Sequence, residues 1–335
     1  MHDVARLADA SVGTVSAVVN GDRTVRPRLR KRIEEAMAIL DYHPNQIAKS
    51  LKLHRTHTIG MVVPDVANPF FTSVIRGVER EGLQRGYSTI LCDTNQDPEQ
   101  ERRQLSILFS RRVDGILISS SNYDATQDRL TRRRFPIVFF DRVPRGYTGD
   151  AVVTDNLDSA YRAVRYLIQL GHCRVAIIAG NLDISVMVDR IEGYRKAMQE
   201  ATLAIPASYL QKGDFQLASG YRCGVELLRL PDPPTAIFSC NNLMTLGLMG
   251  ALAEHKIACP GQISVLGFDD FDWAATFNPR LTTMAQQMIE IGERAMEMLV
   301  QRIETPRTES ESEQGRVVML ETELRVRDST APPPK

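Results

Sequence analysis

A chain of 335 residues, 43% hydrophobic and 24% charged, can bury two or three sizeable cores and has an ordinary globular composition. No apolar run approaches the roughly 18–20 residues that span a bilayer, and MHDVARLADA has two acids and no apolar h-region, so neither a membrane span nor a secretory leader is read. The net charge of zero is unevenly spread: residues 1–57 hold ten Lys/Arg, six Asp/Glu and four of the six His, leaving 31 basic against 35 acidic side chains elsewhere, so a polyanion partner is expected at one end only.

The first 40 residues read as three short helices. The first starts near Asp3 and is expected to bury Val4, Leu7 and Ala8. A turn follows at Asp9-Ala10, and Ser11 is the N-cap of a second helix whose Val15, Val18 and Val19 share one face. Asn20-Gly21-Asp22 ends it. Pro27 opens the third helix, with Ile33, Met37 and Leu40 on one stripe. Two helices joined by a tight turn in a basic segment form a helix-turn-helix pattern. Pro44 then disfavours helical geometry at His43, and Asn45 can cap a further short helix over 46–51 that has little to bury by itself.

From Thr58 the texture becomes alternating strands and amphipathic helices. The strand-like runs are 59–64, 88–93, 115–119, 137–141, 151–155, 174–180, 235–240 and 263–269. Continuous apolar strands between helices imply parallel sheets covered on both faces, and their number suits two α/β lobes. Cys92, Cys173, Cys223, Cys240 and Cys259 form no CxxC pair and read as reduced, mostly buried small residues of a cytosolic protein, with no metal or cofactor implied.

The stretches DVARLADASVGTVSAVVNG, YHPNQIAKSL and IGMVVPDVANPFF closely resemble the lactose-repressor (LacI/GalR) family of regulators. The likeness runs on through RRVDGILI, LGHCRVAIIAG, DRIEGYRKAM, GDF, TAIFSCNNLMTLGLMGAL, ISVLGFDDFDW and PRLTTMAQ, in the family's order over nearly the whole chain. The resemblance implies an α/β fold class: an all-α helix-turn-helix headpiece over about 1–43, a hinge helix or linker over 44–57, and a core over 58–335 that is similar to type I periplasmic binding proteins. In such a core the chain crosses between two lobes three times, here about 58–154 with 286–314, and about 155–285 with 315–328.

Site residues follow from the same resemblance. Val12, Gly13 and Ala17 fall on base-reading positions, and Thr14, Ser16 and Asn20 on positions that contact phosphate or brace the helix. Ala17 stands where the lactose repressor has an arginine, so discrimination here lacks a guanidinium–guanine pair and leans on close groove approach. Asp9 replaces the family's turn glycine, and an aspartate tolerates the left-handed backbone better than most residues. Asn45, Ile47, Ala48 and Leu51 match the hinge helix, in which a leucine wedges into the central minor-groove step of a palindromic site. In the core, Asp65, Asn68, Phe70, Phe71, Asp141, Arg142, Arg190, Phe215, Asn241, Asp269 and Gln286 match the effector cleft. Phe71 is read either as cleft wall or as core, Asp155 and Asn156 as caps of the following helix, and Asn242 as a replacement of the family's aspartate.

The function implied is a DNA-binding transcriptional repressor, without enzymatic activity. Its partners are palindromic operator DNA, a small effector of the carbohydrate class, and a second copy of itself. Lack of a heptad after Arg327 favours a dimer over a tetramer. A solute-binding protein with no DNA target is the alternative, disfavoured by the basic headpiece. No GxxxxGK[ST], GxSxG, HExxH or GxGxxG motif supports an enzyme.

Overall fold

The computed structural model describes all residues except 20, 23, 43–54, 121–134, 145 and 306–314. Met1–Thr56 and His57–Lys335 are two compact units. No helix among the described residues is long and apolar enough to cross a membrane.

The first unit holds α1 (His2–Leu7), α2 (Val12–Val19) and α3 (Pro27–Ile39). Eight residues with four valines and a glycine make a poor isolated helix. α2 persists because Val15 and Val18 are buried against Val4, Ala5, Ala8, Ile33 and Ala36. Its start is fixed by Ser11, whose Oγ accepts the Thr14 amide at 3.1 Å. Asp9 does adopt the left-handed backbone, at φ 44. Arg32 of α3 donates to the Ala8 carbonyl at 2.6 Å, tying the turn to the third helix. Two expected core positions are corrected. Leu7 and Leu40 are exposed, because α1 turns Val4 and Ala5 inward and Leu40 lies just past the end of α3.

Among the described residues the core has two six-stranded sheets. The first, in the order β11-β5-β4-β3-β1-β2, is parallel throughout. Its strands are β1 (Thr58–Val63), β2 (Ser88–Asp93), β3 (Gly115–Ile118), β4 (Ile137–Phe140), β5 (Ala151–Thr154) and β11 (Val317–Leu320). Helices α4 (Pro69–Gln84) and α10 (Met288–Glu304) cover one face, where Phe71, Val74, Val78, Ile291 and Leu299 join Met61, Leu117 and Phe140. Helix α5 (Pro98–Ser110) contributes Leu105 and Leu108 to the other.

The second sheet runs β12-β10-β9-β8-β6-β7 and contains β6 (Val175–Ala179), β7 (Leu210–Lys212), β8 (Ala236–Ser239), β9 (Ser264–Phe268), β10 (Thr282–Ala285) and β12 (Glu323–Arg325). Only β12 is antiparallel, to β10. The helices here are α6 (Asn156–Gln169), α7 (Ser185–Glu200), α8 (Leu217–Leu228) and α9 (Asn242–Glu254).

The chain passes between the sheets after β5, after β10 and after β11. These crossings are stitched together: Thr154 Oγ1 donates to Gln286 Oε1 at 2.5 Å, Ser159 and Thr322 share a hydroxyl bond of 2.7 Å, and Gln287 Nε2 donates to the Glu321 carbonyl at 3.0 Å. β11 corrects the expected lobe boundary at 315. It pairs with β5 in the first sheet, so the last crossing lies between Leu320 and Glu323. The tail beyond 328 also belongs to the second lobe, with Ser329 and Ala331 bonded to Val265 and Ser264.

Candidate functional site

Two surfaces carry the residues singled out from sequence. In the first unit, Gly13 is exposed and Val12, Thr14, Ser16 and Ala17 are half-buried on α2. Thr14 is committed locally, its Oγ1 2.8 Å from Ser11 Oγ. A Cβ placed on Gly13 would meet only Ser11 Oγ, at 3.7 Å, which is ordinary contact. Nothing among the described residues of this unit therefore requires a glycine there. Arg30 and Arg32 hold the loops around α2 through the Asp22 and Ala8 carbonyls, while Arg26 and Arg28 are exposed at the start of α3. Asn20, Asn45, Ile47, Ala48 and Leu51 lie outside the described residues.

The second surface is the cleft between the sheets, at the carboxyl ends of their parallel strands, where open α/β sheets bind ligands. Asp141 follows β4 and Asp269 follows β9, both with left-handed backbones (φ 57 and 76) and both buried. Such conformations are held only where the surroundings over-determine them, and they cluster at functional sites. Phe215, before α8, shares this geometry at φ 69. Its ring lies against the end of β6, where a Cβ on Gly180 would come within 2.5 Å of it.

Arg142 reaches from the first lobe to the second. Its guanidinium lies 4.4 Å from the Phe215 ring centroid and 5.7 Å from that of Phe71. Its Nε and Nη1 are buried without a hydrogen-bond partner. Asp141 Oδ2 stands 3.8 Å from that Nε and accepts from Ser119 Oγ at 3.4 Å. Burial lifts the Asp141 carboxyl to about 6, outweighing Arg142 and Arg190. Burial also lowers the Arg142 guanidinium.

On the second lobe, Arg190 Nε donates to Asn156 Oδ1 at 2.8 Å and Nη1 to the Cys240 carbonyl at 2.5 Å, with the guanidinium 3.5 Å from the Phe268 ring centroid. Asp269 accepts from Gln286 Nε2 at 2.6 Å and from the Asn242 amide at 3.4 Å, and burial raises its carboxyl as well. The structure thus brings Asp141, Arg142, Phe215, Asp269 and Gln286 to one cleft, with Arg190 beside them.

Other expected residues take structural duties. Asn241 caps α9 through the Met244 amide (2.9 Å) and holds the Phe215 carbonyl (3.0 Å), so both ends of its side chain are engaged. Asn68 caps α4 through the Phe70 amide at 2.9 Å. Phe70 and Phe71 are buried edge to face in the first lobe's core, Phe71 touching the cleft through Arg142. Asp65 accepts from Gln216 Nε2 of the other lobe at 3.0 Å. Asp155 caps α6, as expected. Asn156 does not: its Oδ1 serves Arg190 and its Nδ2 donates to the Thr154 carbonyl. Asn242 is fully buried and donates across the cleft to Asn68 Oδ1 at 2.8 Å. The sequence signal for Asn242 was its departure from the family's aspartate; Gln216 and Ser119 gave none.

Residues 1–45 match the model of bacterial regulatory proteins of the lacI family, and 164–330 match a periplasmic binding protein-like domain. The ribose operon repressor of Escherichia coli (strain K12) is 38% identical over 323 residues, 96% of this chain and 98% of that one. The lac repressor dimer bound to operator and the anti-inducer ONPF superposes with a TM-score of 0.87 at 26% identity, covering 98% of each chain. A LacI family regulator from Enterococcus faecium with bound ribose gives 0.72 at 32% identity, covering 82% of this chain and 99% of that one.

Proposed function

The chain belongs to the LacI family of bacterial regulatory proteins, and we propose that it represses transcription by binding palindromic operator DNA as a homodimer, under control of a small carbohydrate effector held between the core lobes. The observation that carries the reading is the interlobe cleft itself. Side chains from both lobes converge at strand ends, among them a buried guanidinium whose Nε and Nη1 have no hydrogen-bond partner. The cleft is covalently continuous with a helix-turn-helix unit.

In this reading α2 enters the major groove. Val12, Gly13 and Ala17 face the bases, and Thr14, Ser16 and Asn20 face the backbone or brace the helix. With no long side chain among the base-facing three, discrimination comes from close approach and apolar contact with thymine methyls. The hinge residues Asn45, Ile47, Ala48 and Leu51 form a second readout when paired with those of the other subunit, Leu51 opening the central step. In the cleft, Asp141, Arg142, Arg190, Asp269 and Gln286 hydrogen-bond the effector while Phe215 gives it an apolar wall. Asp65, Asn68, Phe70, Phe71 and Asn241 shape that pocket from behind. Control requires the effector to bind two lobe arrangements with different affinity, and the difference is the coupling passed to the operator.

Selection from a randomised duplex library tests the DNA half. The full chain should enrich a palindrome, and residues 57–335 should enrich nothing. Enrichment of the same palindrome by residues 57–335 would contradict the headpiece assignment.

A further inference from the structure

The first sheet is parallel, so its strands all begin along one edge, opposite the cleft. β1 enters that edge at Thr58, directly after the linker. The entry is fastened to the loop between α5 and β3. The His57 amide donates to Asp114 Oδ2 at 2.8 Å, and the Asp114 amide donates to the Thr58 carbonyl at 2.7 Å. That loop opens with Arg111 and Arg112, both exposed. A third exposed arginine, Arg316, stands ahead of β11 on the same edge. The carboxylates between them serve the protein's own groups. Asp114 holds the His57 amide, and Asp150 holds the Arg316 amide at 2.8 Å and faces Arg302 at 3.8 Å.

This basic edge belongs to a body of the opposite charge, since residues 58–335 carry 31 Lys/Arg against 35 Asp/Glu. DNA repels a net acidic body, and arginines on the side nearest the phosphates reverse the local field. The tether sets how near that side comes. From Leu51, at the central minor-groove step in the DNA-binding reading, seven Cα steps lead to Thr58, and they span at most about 25 Å. β3 pairs with β1, so Arg111 and Arg112 stand one strand spacing, about 5 Å, from the strand the linker feeds.

We propose that Arg111 and Arg112 are phosphate contacts of the core, gripping the operator backbone that borders the central minor groove. This rests on the DNA-binding reading of the headpiece and linker. Such contacts add affinity and salt dependence without reading sequence. Arginine also suits the carbonyl end of a helix, and Arg112 follows α5 with a left-handed backbone (φ 54), as Gly86 follows α4 (φ 74). A role confined to ending α5 would show in stability alone.

The test titrates the full chain onto its selected palindrome from about 50 to 200 mM salt. Arg111→Gln with Arg112→Gly removes both charges and places at φ 54 a residue that adopts it freely. Affinity should fall about tenfold or more, and the slope of log K against log salt should shrink by about 2–4, at roughly 0.9 per phosphate for two arginines in each of two subunits. Arg111→Lys with Arg112→Lys should keep most of both. The ranking of palindromes should not change, and the thermal midpoint of the first variant should not fall. The inference is overturned if affinity and slope keep their wild-type values, if affinity falls with the slope unchanged, if the lysine variant loses as much as the first, or if the ranking changes. The broader reading is judged separately: a full chain that selects no palindrome removes it, and the inference with it, whereas a selected palindrome bound equally by every variant leaves it standing.

Discussion

Gly13 stands exposed on α2 with nothing among the described residues of its own unit that a Cβ would strike. Glycine inside a helix costs roughly 1 kcal/mol relative to alanine. Gly13→Ala should therefore stabilise the headpiece by up to about that amount, while weakening operator binding if the groove approaches the backbone there. Paired melts and duplex titrations check this; tighter or equal binding would mean that Gly13 does not face the DNA. Asp141 makes a second prediction. Its folded carboxyl sits near 6 instead of 3.8, so the folded state binds a proton more readily than the unfolded chain between those values. Stability contributed by that proton is present at low pH and is lost as pH rises toward and through 6. Asp141→Asn should stabilise the protein at pH 8 by on the order of 1–3 kcal/mol, the gain vanishing near pH 4. Denaturant midpoints across that range test it, and a gain that grows in acid would contradict it. At this scale the left-handed turn at Asp9 was legible from its place between two helices, whereas Asp141 and Asp269 were reached through the resemblance alone and their left-handed backbones left no mark in the sequence. Asn156 was not legible, since its acceptor role depends on Arg190, 34 residues away.

Elements were legible where burial on both faces wrote a continuous apolar run, as in β1, β3, β4, β6, β8 and β9. Four strands left no such mark. β7 and β12 have three residues each, and β11 is an edge strand with Val317 and Met319 exposed. β10 buries Thr282 and Thr283 through hydrogen bonds to the tail and to Asp270, so its polarity concealed it. The helix starts around the cleft carry a prediction of their own. Asn242, the first residue of α9, donates to Asn68 Oδ1, which also caps α4. Asn242→Asp would set two acceptors 2.8 Å apart in a buried position, and turning the Asn68 amide to donate would forfeit the α4 cap. The variant should lose about 1–3 kcal/mol and open the cleft, increasing the radius of gyration in small-angle scattering. Unchanged stability and scattering would show that this bond does not hold the lobes.

For the whole molecule, the two-lobed architecture was legible from strand spacing and from the resemblance together, but the lobe to which 315–320 belongs was not. β11 joins the first sheet because its register with β5 completes the edge there, and the crossing waits until Thr322, held by Ser159 and Arg162. Three crossings tied by Thr154, Gln286 and Thr322 give the lobes a common hinge line whose ends meet the cleft. Gln286 binds both Thr154 at that line and Asp269 in the cleft, so in the proposed reading a ligand held by Asp269 would be coupled to the hinge through Gln286. The most direct measurement of the account is duplex affinity of the full chain with and without a saturating cleft ligand, in wild type and in Asp269→Ala. The account predicts a change of fivefold or more in wild type, the lower end of usual allosteric couplings, and none in the variant, which still binds the duplex. Equal affinity with and without ligand in wild type, or the same shift in Asp269→Ala, would contradict it.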